Sequence, residues 1–121
     1  MTRDERTPTT GAPIVLDGNA LRDLVVARVR DQVAKLSSAP CLATVLIGDD
    51  GPSQVYVRNK HKQAQLAGMT SRNEVLPANV SQRDAESRIR ELAGDASVTG
   101  ILVQQPVPSH LDGEALLSLI P

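Results

Sequence analysis

Aromatic side chains are almost absent from this sequence of 121 residues, which contains no phenylalanine, no tryptophan and one tyrosine, Tyr56. A hydrophobic core therefore has to be built from leucine, isoleucine, valine and alanine. An aromatic ring that the core does not need can stack on a flat ligand at the surface. Tyr56 is for this reason a candidate binding residue.

Cysteine is nearly as scarce, since Cys41 is the only one, and this excludes an internal disulfide and a multi-cysteine metal site. His61 and His110 lie far apart and have no clear ligand partners, so we expect no metal. No apolar run is long enough to span a bilayer. The leader, residues 1–13, lacks the apolar stretch of a signal peptide. We therefore expect a cytoplasmic protein with a disordered tail at residues 1–13.

The sequence also lacks any block of charge of one sign. Its 13 Lys and Arg residues are balanced by 14 Asp and Glu residues, giving a net charge of −1. Nucleic-acid and anionic membrane surfaces need clustered cations, so we expect no partner of either kind. The length suits a single compact domain, which we assign to residues 14–121.

Helical and strand-like patterns alternate along this domain. The predicted elements are a helix at 21–36, a strand at 41–47, a helix at 53–67, a short strand around 74–76, a helix at 81–93, a strand at 98–103 and a helix at 112–120. Ser53, Ser81 and Asp112 are the predicted N-caps. This order predicts an α/β layered fold with a small, mainly parallel sheet flanked by helices. In such sheets the ligand site lies at the carboxyl ends of the strands, here segments 48–60 and 104–108.

Tyr56 and Lys60 are four residues apart on the second predicted helix, so their side chains share one face. A ring beside an amine can hold a flat substrate while the amine moves a proton or pairs with developing charge. The alternative is a solvated helix face on which both residues are incidental. Spacing alone favours that alternative by about two to one.

Gln104 follows the last predicted strand, where its amide could accept one hydrogen bond and donate another. An ordinary strand-end glutamine bonded to backbone or water is the alternative that the sequence alone favours. The turn at 48–51 has two glycines but is not a phosphate loop. It lacks the Gly-Lys-Ser/Thr of a nucleotide cradle, and Asp49 and Asp50 would repel phosphate.

Two segments resemble motifs of one known family. Segment 48–60, GDDGPSQVYVRNK, resembles the signature GDxPASxxYVxxK of the bifunctional methylenetetrahydrofolate dehydrogenase/methenyltetrahydrofolate cyclohydrolases. Segment 100–110, GILVQQPVPSH, is similar to the family's GILVQLPLPxH. The resemblance runs from about Ile14 to Pro121. It implies the N-terminal catalytic domain of an enzyme of one-carbon folate metabolism, which oxidises 5,10-methylenetetrahydrofolate with NADP and hydrolyses 5,10-methenyltetrahydrofolate to 10-formyltetrahydrofolate.

The resemblance also implies roles for individual residues. Tyr56 would stack on the folate ring system, Lys60 would be the catalytic lysine, and Gln104 would hydrogen-bond near that lysine. Ser53 would line the same cleft, and capping of the helix is an equally favoured role for this residue. Gln105 and Pro106 complete the expected substrate-binding set, although Gln105 stands where the family usually has an apolar residue.

The family's next segment, whose acidic residue grips the pterin, does not occur in the sequence, and neither does its NADP-binding domain. The resemblance thus implies tetrahydrofolate derivatives as ligands and a homodimer in the family, but no dehydrogenation by these residues alone. The alternative is a non-catalytic truncated paralogue that acts as a folate-binding or partner-binding module.

Overall fold

The computed structural model describes residues 13–121, so the predicted tail lies, except for Pro13, outside the described residues. Helices and strands alternate along this part of the chain. They are α1 (Gly18–Val33), β1 (Cys41–Ile47), α2 (Gly51–Leu66), β2 (Thr70–Leu76), α3 (Gln82–Ala93), β3 (Gly100–Val103) and α4 (Gly113–Leu117). Within residues 13–121, no helix has both the length and the apolar character needed to cross a membrane.

The three strands form one parallel sheet in the order β2-β1-β3. The central strand, β1, is the continuous apolar run, and its residues are buried from Ala43 to Ile47. Parallel neighbours need crossover connections, which here contain α2 and α3. The predicted α/β fold with a small parallel sheet flanked by helices is confirmed.

The main core lies on the sheet face that carries Ala43, Val45 and Ile47. Residues of α3 and α4 cover this face, and the cluster of buried residues consists of Ala43, Val45, Ile47, Ala85, Ile89, Leu92, Val103, Leu111 and Leu116. All of these side chains are aliphatic. The prediction of a core without aromatic residues is therefore confirmed.

Several boundaries differ from the prediction. β2 begins at Thr70 rather than near residue 74, because its residues are mostly polar and no apolar run marks its start. β3 begins at Gly100, and α4 ends at Leu117 rather than near residue 120. The predicted stop of α2 at Gly68 is confirmed, since Gly68 adopts a φ of +83°, which side chains rarely allow.

Helix α1 is predicted at 21–36 and is observed at Gly18–Val33, so both of its ends lie earlier in the chain than predicted. Its apolar stripe is not covered. The side chains of Leu21, Leu24 and Val25 are 61%, 56% and 46% exposed, and the helix has no buried residue. At its end, the Val33 side chain lies 3.4 Å from where a Cβ on Gly68, just after α2, would be. The amphipathic pattern thus predicts a helix in this part of the chain, and the apolar side chains of this helix are exposed in the structure.

Ion pairs connect the edge strand β2 to α3 and to the loop that follows α3. Arg88 Nε donates to Glu74 Oε1 at 2.8 Å, and Arg72 Nη1 donates to Asp95 Oδ2 at 2.9 Å. The hydrogen bonds from Arg88 hold the pKa of Glu74 below its usual value. The Ser97 hydroxyl, followed by Arg72, lowers the pKa of Asp95 to about 2.

Replacing Leu116 by alanine should destabilise the protein by about 2–5 kcal/mol, because its fully buried side chain would leave a cavity. The matched control is Leu117→Ala, which truncates a neighbouring side chain that is 42% exposed and should cost much less. Urea unfolding of both variants measures the difference. Equal losses would contradict the core described above.

The lowered pKa of Glu74 means that its ion pair stabilises the fold above the usual value of 4.5 and is lost below it. We expect the free energy of unfolding to fall from about pH 4.5 towards pH 2, and part of this fall to be missing in Glu74→Gln. The control is Glu114→Gln. Urea unfolding at several pH values tests this, and parallel curves for Glu74→Gln and the unmodified chain would disprove it.

Candidate functional site

The rotation of α2 about its axis is set by the residues that it buries against the sheet. Ser53, Val57 and Ala64 are 1%, 3% and 6% exposed, and their spacing of four and seven places them on one side of the helix. Tyr56 and Lys60 then fall on the flank that faces β3. The buried side of the helix therefore determines where both candidate site residues lie.

A groove lies on this flank, between α2 and the β1–β3 part of the sheet, and we call it the α2–β3 groove. It has a volume of about 440 Å³ and is lined by Leu42, Tyr56, Asn59, Lys60, Gln63, Ala64, Ala67, Met69 and Leu102. Its sheet side is formed by Leu42 and Leu102 and is wholly apolar. A volume of this size lies within the range of small-molecule sites.

Tyr56 and Lys60 are in contact within this groove. The Lys60 Nζ atom lies 5.7 Å from the centroid of the Tyr56 ring, within the range of a cation–π interaction. Tyr56 is 56% exposed, so its ring is free to stack on a flat ligand, while Lys60 is half-buried. The pair therefore combines a stacking surface with a positive charge above an apolar floor.

Helix α2 is capped by Asp50, and the prediction of Ser53 as its N-cap is wrong. The Asp50 Oδ2 atom accepts hydrogen bonds from the Ser53 backbone N–H at 3.0 Å and from Ser53 Oγ at 2.8 Å. Helix α2 starts at Gly51, and Pro52 in its first turn has no N–H that needs a partner. Ser53 is thus buried and its hydroxyl is committed to the cap.

The remaining predicted site residues do not line the α2–β3 groove. The backbone N–H of Gln104 donates to the Val45 carbonyl at 2.9 Å, and its side-chain amide donates to the Gln105 carbonyl at 2.9 Å. The Gln105 side chain points towards α4, since its Oε1 lies 3.3 Å from where a Cβ on Gly113 would be. Pro106 lines a separate cavity beside the turn at 48–50.

Sequence reasoning missed Gln63, which lies one helical turn beyond Lys60 on the same flank of α2. Its Oε1 atom is buried and has no hydrogen-bond partner among residues 13–121. Helical periodicity counted onward from Tyr56 and Lys60 would have found this residue. It adds a polar group to a groove that is otherwise mostly apolar.

The turn before α2 does not fit the phosphates of a dinucleotide such as NADP. A phosphate binds at a helix N-terminus by accepting bonds from its free backbone N–H groups. Here the Asp50 carboxylate accepts from the Ser53 N–H, and Asp49 places a second carboxylate in the same turn. As for metals, the described part of the chain holds no group of three or more His, Cys, Asp or Glu side chains that could bind an ion.

A three-stranded α/β layer with an aromatic–lysine pair above an apolar groove has the features of a small-molecule site. The family model of the tetrahydrofolate dehydrogenase/cyclohydrolase catalytic domain matches residues 16–121. The chain belongs to this family, as the two motifs predict.

Individual relatives agree with this assignment. The chain is 46% identical over 113 residues to the bifunctional protein FolD of Nitrobacter winogradskyi, covering 90% of this chain and 38% of that protein. The match to the crystal structure of FolD from Campylobacter jejuni covers 91% of this chain and 40% of the FolD chain, with a TM-score of 0.86 and 35% identity. The match to the Trypanosoma brucei FolD, which was solved in complex with NADP cofactor and inhibitor, covers 91% of this chain and 39% of the FolD chain. Its TM-score is 0.85 and its identity is 33%. The chain thus spans well under half the length of these relatives.

Removing the α2 cap with Asp50→Ala should destabilise the protein by about 0.5–2 kcal/mol, because both bonds that the carboxylate accepts from Ser53 are lost. Asp49→Ala is the matched control, since it removes the neighbouring carboxylate and leaves the cap in place. Thermal or urea unfolding compares the two variants. A loss in Asp49→Ala as large as that in Asp50→Ala would show that Asp50 is not the cap.

Proposed function

We propose that this chain carries the folate-binding catalytic part of a methylenetetrahydrofolate dehydrogenase/cyclohydrolase and hydrolyses 5,10-methenyltetrahydrofolate to 10-formyltetrahydrofolate. The observation that carries this proposal is the contact of the Lys60 ammonium with the exposed Tyr56 ring, 5.7 Å from its centroid, at an apolar groove. The family assignment supports folate as the ligand.

Folate binding is supported by the shape and chemistry of the α2–β3 groove. A reduced folate carries two flat ring systems, and Tyr56, the only residue among Phe, Trp and Tyr in the sequence, offers a face for stacking on one of them. Leu42 and Leu102 provide apolar surface beneath the ligand. The groove therefore takes an extended, flat molecule with its reacting atoms close to Lys60.

Lys60 assists the hydrolysis as a proton carrier. Water adds to the methenyl carbon of the cationic substrate and releases a proton to solvent. The Lys60 ammonium supplies the proton that N5 takes up, and Lys60 recovers a proton from the hydroxyl group. The bond between this carbon and N5 then breaks, N5 takes up a proton, and the hydroxyl loses its own to become the formyl carbonyl on N10. One proton is released to solvent in each turnover, so the reaction needs no other reactant.

Gln104 positions Lys60 in this proposal. It continues β3 beyond Val103, and by strand alternation it lies on the same sheet face as Leu102, the face covered by α2. Its amide now donates to the Gln105 carbonyl, so the role requires a rotation of this side chain. The contributions of Ser53, Gln105 and Pro106 to substrate binding rest on the resemblance of the motifs.

Oxidation of methylenetetrahydrofolate requires a nicotinamide held against the methylene carbon. Because the turn before α2 does not fit dinucleotide phosphates, we propose that residues 13–121 by themselves support hydrolysis and not NADP-dependent oxidation.

The second candidate function is a module that binds a partner or folate without turning it over. It is favoured by the exposed apolar side chains of Leu21, Leu24 and Val25 on α1, which offer a surface for another polypeptide. A purified chain that binds folate but hydrolyses nothing would favour this candidate over the first.

The decisive variant is Lys60→Met, which keeps the length of the side chain and removes its amine. We expect the chain to hydrolyse methenyltetrahydrofolate faster than the spontaneous reaction. In Lys60→Met, the rate above the spontaneous rate should fall about 100-fold or more. Lys62→Met, on the same helix but outside the groove, should retain the rate within about twofold. Loss of the methenyl absorbance measures the rate, and an unchanged rate in Lys60→Met would refute the assigned role.

A further inference from the structure

A second cavity lies on the opposite flank of α2, beside the edge strand, and we call it the α2–β2 pocket. It has a volume of about 330 Å³ and is lined by Leu46, Gln54, Val57, Arg58, His61, Asn73 and Val75. Only Val57 of this set belongs to the buried side of the helix. The family motifs assign no function to the pocket, and Tyr56 and Lys60 do not line it.

A buried hydroxyl orders two walls of this pocket. Thr44 is fully buried, and its Oγ1 atom lies 2.8 Å from His61 Nε2 and 3.1 Å from Asn73 Oδ1, to which it donates. The imidazole and the amide are therefore held by the sheet rather than left free at the surface. Because Asn73 uses its oxygen in this contact, its Nδ2 group is left as a donor for a ligand.

The pocket combines positive charge with an apolar floor. Arg58 contributes a guanidinium group, and no acidic side chain is among the lining residues. Leu46 and Val57 form the floor, and Val75 is 60% exposed although it lies on the sheet face beside α2. A ligand that fits these features has one negative group and a compact apolar body.

We propose that the α2–β2 pocket binds a small carboxylic acid with an aromatic or branched apolar body, because Arg58 and the Asn73 amide lie at one cavity with Val57, Val75 and the ordered His61 ring. The carboxylate pairs with the Arg58 guanidinium, which can donate two parallel hydrogen bonds, and accepts a further bond from Asn73 Nδ2. The apolar body lies against Val57 and Val75 and beside the imidazole.

A carboxylate fits this pocket better than a phosphate. Phosphate sites usually draw on several cations or on the free N–H groups of a helix N-terminus. Here the lining contains one arginine, and the nearby N-terminus of α2 is already capped by Asp50. One guanidinium and one amide match the single charge and planar shape of a carboxylate.

The experiment is a titration of the full chain with phenylacetate, followed by the backbone amide signals in nitrogen-15 NMR spectra. We expect saturable shifts at Arg58, His61, Asn73 and Val75, and binding of the neutral isostere phenylacetamide that is at least fivefold weaker. Arg58→Gln should weaken phenylacetate binding at least fivefold. Lys62→Gln, the same charge change on the same helix outside the pocket, should alter it less than twofold.

A second variant keeps the test valid if Arg58→Gln disturbs the fold. Val75→Phe fills the pocket from an exposed position on β2 and should abolish saturable binding while the rest of the amide spectrum stays unchanged. Equal affinities of Arg58→Gln and Lys62→Gln, shifts centred on Tyr56 and Lys60, or shifts that do not saturate would overturn the proposal. The inference is independent of folate hydrolysis, so Lys60→Met should bind phenylacetate unchanged.

Discussion

The packing of α2 against the central strand is the contact on which both cavities depend. Ser53, Val57 and Ala64 are buried beneath the helix. A hydrogen bond between Thr44 of β1 and His61 of α2 also joins the helix to the sheet. These contacts fix the rotation of α2, so that one flank carries Tyr56 and Lys60 and the other carries Arg58 and His61. A rotation by one residue, about 100°, that brought Arg58 to the place of Val57 would bury a charged side chain and dismantle both cavities.

The aliphatic core explains why the one aromatic residue is available for binding. The buried cluster on the α3 and α4 side of the sheet is filled by alanine, valine, leucine and isoleucine, so Tyr56 is not needed to fill space. Its ring stands 56% exposed beside Lys60 instead. A stacking surface beside a cation, held on a rigid helix, is the arrangement that the proposed folate hydrolysis requires.

Much of the fold could be predicted because its strongest signals are local. The apolar run at β1 and the caps Ser81 and Asp112 are as predicted. The start of β2 was not predictable, because a polar edge strand gains its structure from pairing with β1 rather than from an apolar pattern.

Asp50 and Ser53 are both good capping residues, so only the geometry of the turn decides between them. The positions of Tyr56 and Lys60 followed from helical spacing, whereas the ordering of His61 by Thr44 joins residues 17 positions apart and has no local signal.

The measurement that tests the folate site most directly is the proton NMR signal of the Tyr56 ring during a titration with tetrahydrofolate. The sequence has no phenylalanine or tryptophan, so the tyrosine ring protons report on this one residue. Stacking of a folate ring on Tyr56 predicts a large, saturable upfield shift of these signals that is weakened in Lys60→Met and retained in Lys62→Met. Ring signals that stay in place while tetrahydrofolate shifts backbone amides elsewhere would contradict the account.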